Sequence, residues 1–400
     1  MKCIKKYQYI LMIMMASFMA GDYVLAQTTD TGMLTATDTA PVATDIFTVN
    51  VNAGAHAGNL FEARVIEILE QRNAQTEDGA TILQQRVKMR GLEGDYKDKE
   101  FEFNGISDII AVSSNSYKKG DRVIVGHQLD SDGNDVFYIA DYVRRWPLYL
   151  LAFIFALIIT IVAKAKGLRS IFALAISFFI ILKATIPLIL NGWNPLSVGA
   201  ATCILIFLII VYITDGWNSK SHIAVLSLAL CLAVVAVLSF IFTNLTRLTG
   251  MAGEETMFLI GIGKQAIDFR GLFLAGVLIG ALGVLDDMVI GQIEAVNQIK
   301  NANPKMPTAQ VYKAAMKIGN AHIGAMVNTL FLAYAGASLP LLILFSINEP
   351  PFLTFSQVIN NELIASEIVR TLVGSIGLAL AMPLATISAA KFLTEKQIKN

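Results

Sequence analysis

Apolar and polar positions divide the chain into two regimes. Between residues 47 and 143 they alternate with a period of two, in short runs at 61–68, 86–90, 100–103, 121–125 and 136–139. Asn104-Gly105, Lys119-Gly120-Asp121 and Asp132-Gly133-Asn134 separate these runs with turn residues. About five short strands predict a small antiparallel barrel over residues 46–143, of the OB or SH3 kind. Downstream the alternation stops. Seven apolar segments follow, near 146–163, 168–190, 194–214, 222–243, 271–293, 319–346 and 366–388. Each approaches the ~20 residues needed to cross a ~30 Å hydrocarbon core.

Lysine and arginine positions orient these segments. One set of connections carries Lys164, Lys166 and Arg169, then Lys220, then Lys300, Lys305, Lys313 and Lys317, then Lys391, Lys396 and Lys399. The other set holds Arg247, Lys264, Arg270 and the acidic stretch 349–367. The positive-inside rule then places the N-terminus outside and the C-terminus inside, with Arg144 and Arg145 against the trend. The expected fold class is an α-helical polytopic membrane protein of about seven transmembrane helices, with an N-terminal extracytoplasmic β-barrel-like domain. Residues 250–268, apolar only over a short stretch, read as an interfacial or re-entrant helix.

The N-terminus adds a further segment. Lys2, Lys5 and Lys6, the apolar run 10–20 and Val24-Leu25-Ala26 have the order of a secretory signal cleaved after Ala26. An uncleaved anchor helix is the alternative; either way Gln27 begins outside the cytoplasm. The expected organisation is a signal peptide at 1–26, a flexible linker at 27–45, the β domain at 46–143, a helical membrane domain at 144–393 and a cytoplasmic tail at 394–400. A mean hydropathy of +0.59, with 55% hydrophobic and 16% charged residues in 400, excludes an ordinary soluble enzyme. Cys3, Cys203 and Cys231 offer neither a disulfide framework nor a zinc pattern.

The candidate chemistry lies on the last three apolar segments. Asp286 and Asp287 interrupt the run 271–293. A carboxylate costs roughly 2.5–3.5 kcal/mol at a membrane-helix centre, so such a pair needs a cavity, a partner or a proton. Helical spacing puts Asp287, Glu294 and Gln298 on one stripe, with Asp286 and Asn297 beside it. Counting the rise per residue places Asp287 roughly 24 Å below an outer start at Gly271, in the inner third of the core. A solvated helix end is the competing account of the pair. In the next segment, behind a Thr308 cap, His322 falls at a similar depth, and Asn328, Thr329 and Tyr334 continue the polar line. A histidine facing two aspartates would make a proton relay or part of a metal site; a histidine bonded to a neighbouring helix is the plainer account. Near the outer level Lys183, Glu367 and Arg370 form a second cluster, suited to structural pairing.

Three stretches resemble the YibE/F family of multi-pass bacterial membrane proteins: Gly280-Ala281-Leu282-Gly283-Val284-Leu285-Asp286-Asp287, Asn328 to Gly336, and Glu367 to Leu378. The resemblance implies a multi-pass protein of the bacterial plasma membrane and implies no activity. Two functions follow from the residues. One is a transporter or ion-coupled permease using Asp286, Asp287, Glu294, His322, Asn328 and Thr329. The other is a non-enzymatic envelope binding or assembly scaffold acting through the β domain. Adjacent aspartates on one helix point about 100° apart, which disfavours an intramembrane aspartyl hydrolase. No enzyme activity, cofactor or nucleic-acid partner is expected. The expected partners are the bilayer, an unidentified ion or small solute, and either a second copy or a second membrane subunit.

Overall fold

The computed structural model describes residues 60–75, 81–106, 116–129, 133–261, 266–347 and 353–398. The leader and linker expected at 1–45 lie outside them, as does most of the Asp130–Asn134 turn. The chain divides into two compact units, residues up to Leu157 and from Ile158 onward.

In the first unit five strands form one antiparallel sheet: β1 (Phe61–Gln75), β2 (Thr81–Gly91), β3 (Glu100–Asn104), β4 (Arg122–Leu129) and β5 (Asp135–Tyr142), in the order β3-β2-β1-β4-β5. Phe61, Ala63 and Val65 point inward and alternate with Glu62 and Arg64, the two-residue period of a half-buried strand. Bulges interrupt β1 between Val65 and Glu67 and between Ile68 and Glu70. They bend the strand and strengthen its twist. Phe101 on β3 and Phe137 on β5 belong to opposite edges of the sheet, yet their rings stack at 4.5 Å. The sheet therefore curls on itself around Phe61, Val65, Val87, Met89, Val123 and Val125. Each such side chain contributes about 1.5–3 kcal/mol on burial.

The second unit is helical. It continues α1 (Arg145–Ile180), followed by a π-helical segment (Ile181–Thr185) and α2 (Ile186–Leu190). Then come α3 (Pro195–Thr214), α4 (Ser219–Leu245), α5 (Glu254–Phe258), α6 (Phe269–Ala302), α7 (Thr308–Ala337), α8 (Leu339–Ser346), α9 (Phe355–Asn360) and α10 (Glu362–Ile398). Among the described residues five helical stretches are long and apolar enough to cross a membrane, or six if α7 and α8, bent by 70°, make one broken span. The stretch Arg145–Leu190 counts once in that tally, but it is not straight. Lys164 has φ +53° and leaves the helix, and a Cβ added at Gly167 would collide with the Ile159 carbonyl. Residues eight apart in a straight helix stand about 12 Å from one another. The chain thus reverses between Lys164 and Gly167.

Lipid supplies no hydrophobic drive between helices, so close approach and polar contacts hold such a bundle. Gly199 on α3 lets Ala275 of α6 come within 2.6 Å of where a Cβ would stand. Gly319 on α7 gives the same access to Gln292 of α6, at 2.6 Å, and to Met382 of α10, at 2.5 Å. Around these crossings Phe207, Leu228, Leu278, Leu285, Met288 and Leu378 are fully buried. Helix α7 begins with Pro307 in the capping position and no side-chain cap, so Thr308 is its first residue rather than its cap.

Candidate functional site

Helix α6 builds the site. Asp268 caps it by accepting from the Gly271 N–H at 2.9 Å, and its 34 residues span roughly 51 Å. One face is the bundle core: Leu274, Leu278, Leu285, Val289, Ile293 and Val296. The other carries Gly276, Gly280, Gly283, Asp287, Gly291, Glu294 and Gln298, stepping by three or four residues. Five of these seven, from Gly276 to Gly291, are exposed, as is Gln298, while Glu294 is half-buried. Cβ atoms added at Gly276, Gly283 and Gly291 would meet nothing within 4 Å; at Gly280 one would meet the Tyr334 hydroxyl at 2.8 Å. The helix therefore presents an open, glycine-lined strip with a carboxylate in its middle.

Asp286 stands on the shoulder between the strip and the core. Its Oδ1 is buried and has no hydrogen-bond partner among the described residues. The charges it feels are Asp287 beside it and Asp215 at the end of α3, both negative. A carboxyl oxygen buried without a partner is costly to keep there unless water or a proton reaches it.

Farther along, the strip meets a paired region. Glu294 accepts from Lys220 at 2.9 Å and from Gln298 at 2.5 Å. Asp215 pairs with Lys166 at 2.8 Å, and the Asn218 side chain caps α4 while donating to the Asp215 carbonyl at 2.8 Å. Tyr212 and Trp217 stack at 4.3 Å, with the Tyr212 hydroxyl bonded to His222 Nδ1 at 2.8 Å. Lys300 is buried and donates to the Met306 carbonyl at 2.9 Å, which ties the α6–α7 connection down.

The other expected residues lie apart. His322, Asn328 and Thr329 are exposed on α7, and no hydrogen bond or ion pair among the described residues joins them to Asp286 or Asp287. The Thr329 hydroxyl donates to its own helix at Ala325, 2.9 Å away. In the second cluster Glu367 and Arg370 pair at 2.9 Å, and the Arg370 guanidinium lies 5.5 Å from the Phe273 ring centre. Lys183 sits exposed in the π-helical segment, outside that pair. Among the described residues no three His, Cys, Asp or Glu side chains are grouped to hold a metal ion.

Sequence reasoning missed two features. Asp215 belongs to the charge pattern around Asp286, and its signal was an acid at a helix end directly before Gly216. Gln292 and Thr386 form a buried bond between α6 and α10, the Thr386 hydroxyl donating to Gln292 Oε1 at 2.9 Å.

Residues 151–395, the whole helical unit but for its edges, match the family model described as YibE/F-like protein. The chain belongs to the YibE/F family. No curated protein and no solved structure matches it. In this YibE/F chain the matched span holds α3, α4, α6, α7 and most of α10, and so every helix that frames the glycine strip and its aspartates.

Proposed function

We propose that this YibE/F protein is a membrane permease that moves a cation, or couples a proton to a solute, along the open face of α6. The carrying observation is the buried, unpartnered Oδ1 of Asp286 beside an exposed strip that contains Asp287. Ionisable groups inside a membrane helix are tolerated where they face a water-filled route or exchange a charge. Glycines clear that route, and the Lys220–Glu294 pair stands at one end of it.

The reading includes a topology. The reversal at Lys164 makes two spans of Arg145–Leu190, and the bent α7–α8 pair makes one, giving seven. Lysines at 164, 166, 220, 300 and 305 then share the cytoplasmic side, with the β domain outside. The Asp286–Asp287 pair lies in the inner half of the bilayer.

The test is flux into liposomes holding the full chain, followed with proton and divalent-cation dyes. Asp286→Asn and Asp287→Asn, singly and together, are expected to cut flux at least tenfold. Asp286→Asn should also fold as stably as the parent or better, because it removes the charge from a side chain whose buried oxygen has no partner. Flux that persists in the double variant, or its absence for every ion tested with the parent protein, overturns the proposal.

A further inference from the structure

The exposed side of α7 presents a second polar face whose chemistry differs from that of α6. Residues 318–337 contain no Asp, Glu, Lys or Arg, and Asn328 lies at their middle, about 15 Å from either end. Along α7 the residues Ala321, Ala325, Asn328, Leu332 and Ala335 step by four and three, the repeat of a helix–helix seam. All but the half-buried Ala335 are exposed, and Gly324 beside them has open space where a Cβ would go. Asn328 makes no hydrogen bond among the described residues. Lipid cannot satisfy an amide at that depth, so protein or water must.

The two faces call for different cover. The α6 strip carries the exposed Asp287, which repels its own copy and favours water. The α7 seam carries a neutral amide with both a donor and an acceptor, which can bond its own image across a two-fold axis. Small residues on both sides of it let two helices approach closely. The leader run 10–20 offers Ser17 as its only polar side chain, a single hydroxyl with one donor, where a second Asn328 brings two donors and a carbonyl in the same plane. We propose that α7 pairs with α7 of a second copy of this chain, with the two Asn328 side chains hydrogen-bonded at the centre of the seam. This inference does not depend on transport.

Cysteine cross-linking of the full chain in native membranes tests it, in a background with Cys3, Cys203 and Cys231 replaced by Ala. Single cysteines at 321, 325, 328 and 332 should form disulfide-linked dimers at least about fivefold more readily than cysteines at the exposed Ile204 or Phe240. Equal yields everywhere, or a seam-specific adduct with the mass of another protein, overturn the proposal. In vesicles, Asn328→Leu should raise the dimer dissociation constant about 3- to 18-fold, the range seen for polar contacts between membrane helices. Asp287→Asn should leave it unchanged. An unchanged constant in Asn328→Leu removes the amide from the argument and overturns it.

Discussion

The bond between Gln292 and Thr386 allows a prediction worked from individual atoms. Both side chains are buried, at 3% and 0% exposure. The Thr386 hydroxyl has one proton and two acceptors in reach, Gln292 Oε1 at 2.9 Å and the Met382 carbonyl at 2.6 Å. Met382 is four residues back, and its carbonyl already has the helix N–H of Thr386 as a donor. Thr386→Val therefore orphans the glutamine oxygen alone. Leaving a buried acceptor unmade costs about 1–3 kcal/mol, and polar contacts between membrane helices average about 0.6 kcal/mol and reach about 1.7 kcal/mol. The expected loss is about 1–1.5 kcal/mol. In a Gln292→Leu background the same change should cost under about 0.3 kcal/mol, since the hydroxyl then serves only its own helix. The assay is reversible unfolding of the full chain in mixed micelles, followed by circular dichroism, for the four members of the cycle. Equal costs in both backgrounds would refute the reasoning.

Two further outcomes follow. Glu362 at the start of α10 accepts from the Thr249 hydroxyl at 2.8 Å and from the Gly250 N–H at 3.0 Å, so Glu362→Ala should speed hydrogen exchange across 249–258 by about tenfold while leaving α6 protected. In the β domain Arg90 and Lys88 bond Glu100 and hold its carboxyl at about 2, below the ordinary 4.5. A depressed carboxyl contributes stability above its unfolded value and loses it as pH falls through the folded one. Protection at Phe101 and Phe103, taken relative to the intrinsic exchange rate at each pH, should accordingly fall between pH 4.5 and 2, and Glu100→Gln should flatten that dependence while lowering protection at pH 7 by about the same factor.

Much of the architecture was legible because it is written in period and length. The five strands sit where the two-residue alternation put them, since one face of each must be buried. The cluster Lys164, Lys166 and Arg169 marked a break between apolar runs, and the chain reverses there. On α6 the stripe of Asp287, Glu294 and Gln298 is an open face of the helix, and Gly276, Gly280, Gly283 and Gly291 extend it. Relations between helices were not legible. The rise per residue fixes depth, so His322 could be set level with Asp286, but its azimuth around the bundle depends on how α7 is turned. That rotation is set by Gly319 seating against Gln292 and Met382. The Lys220–Glu294 pair, 74 residues apart, had the same difficulty: both charges were visible, their adjacency was not.

The order of the helices along the chain has a bearing on how the protein is made. A polypeptide emerges N-terminus first, and its segments meet whatever has already been laid down. Helix α6 carries the two aspartates and is the hardest segment to place among lipid tails. It leaves the ribosome only after α3, whose Gly199 will receive Ala275, and after α4, whose Lys220 will meet Glu294. Its neighbours on two sides are therefore in place before Asp286 arrives, and α10 closes over it last. Moving α6 ahead of α3 in a permuted gene would present the same sequence to an empty bilayer, with neither Gly199 to seat Ala275 nor Lys220 to pair with Glu294.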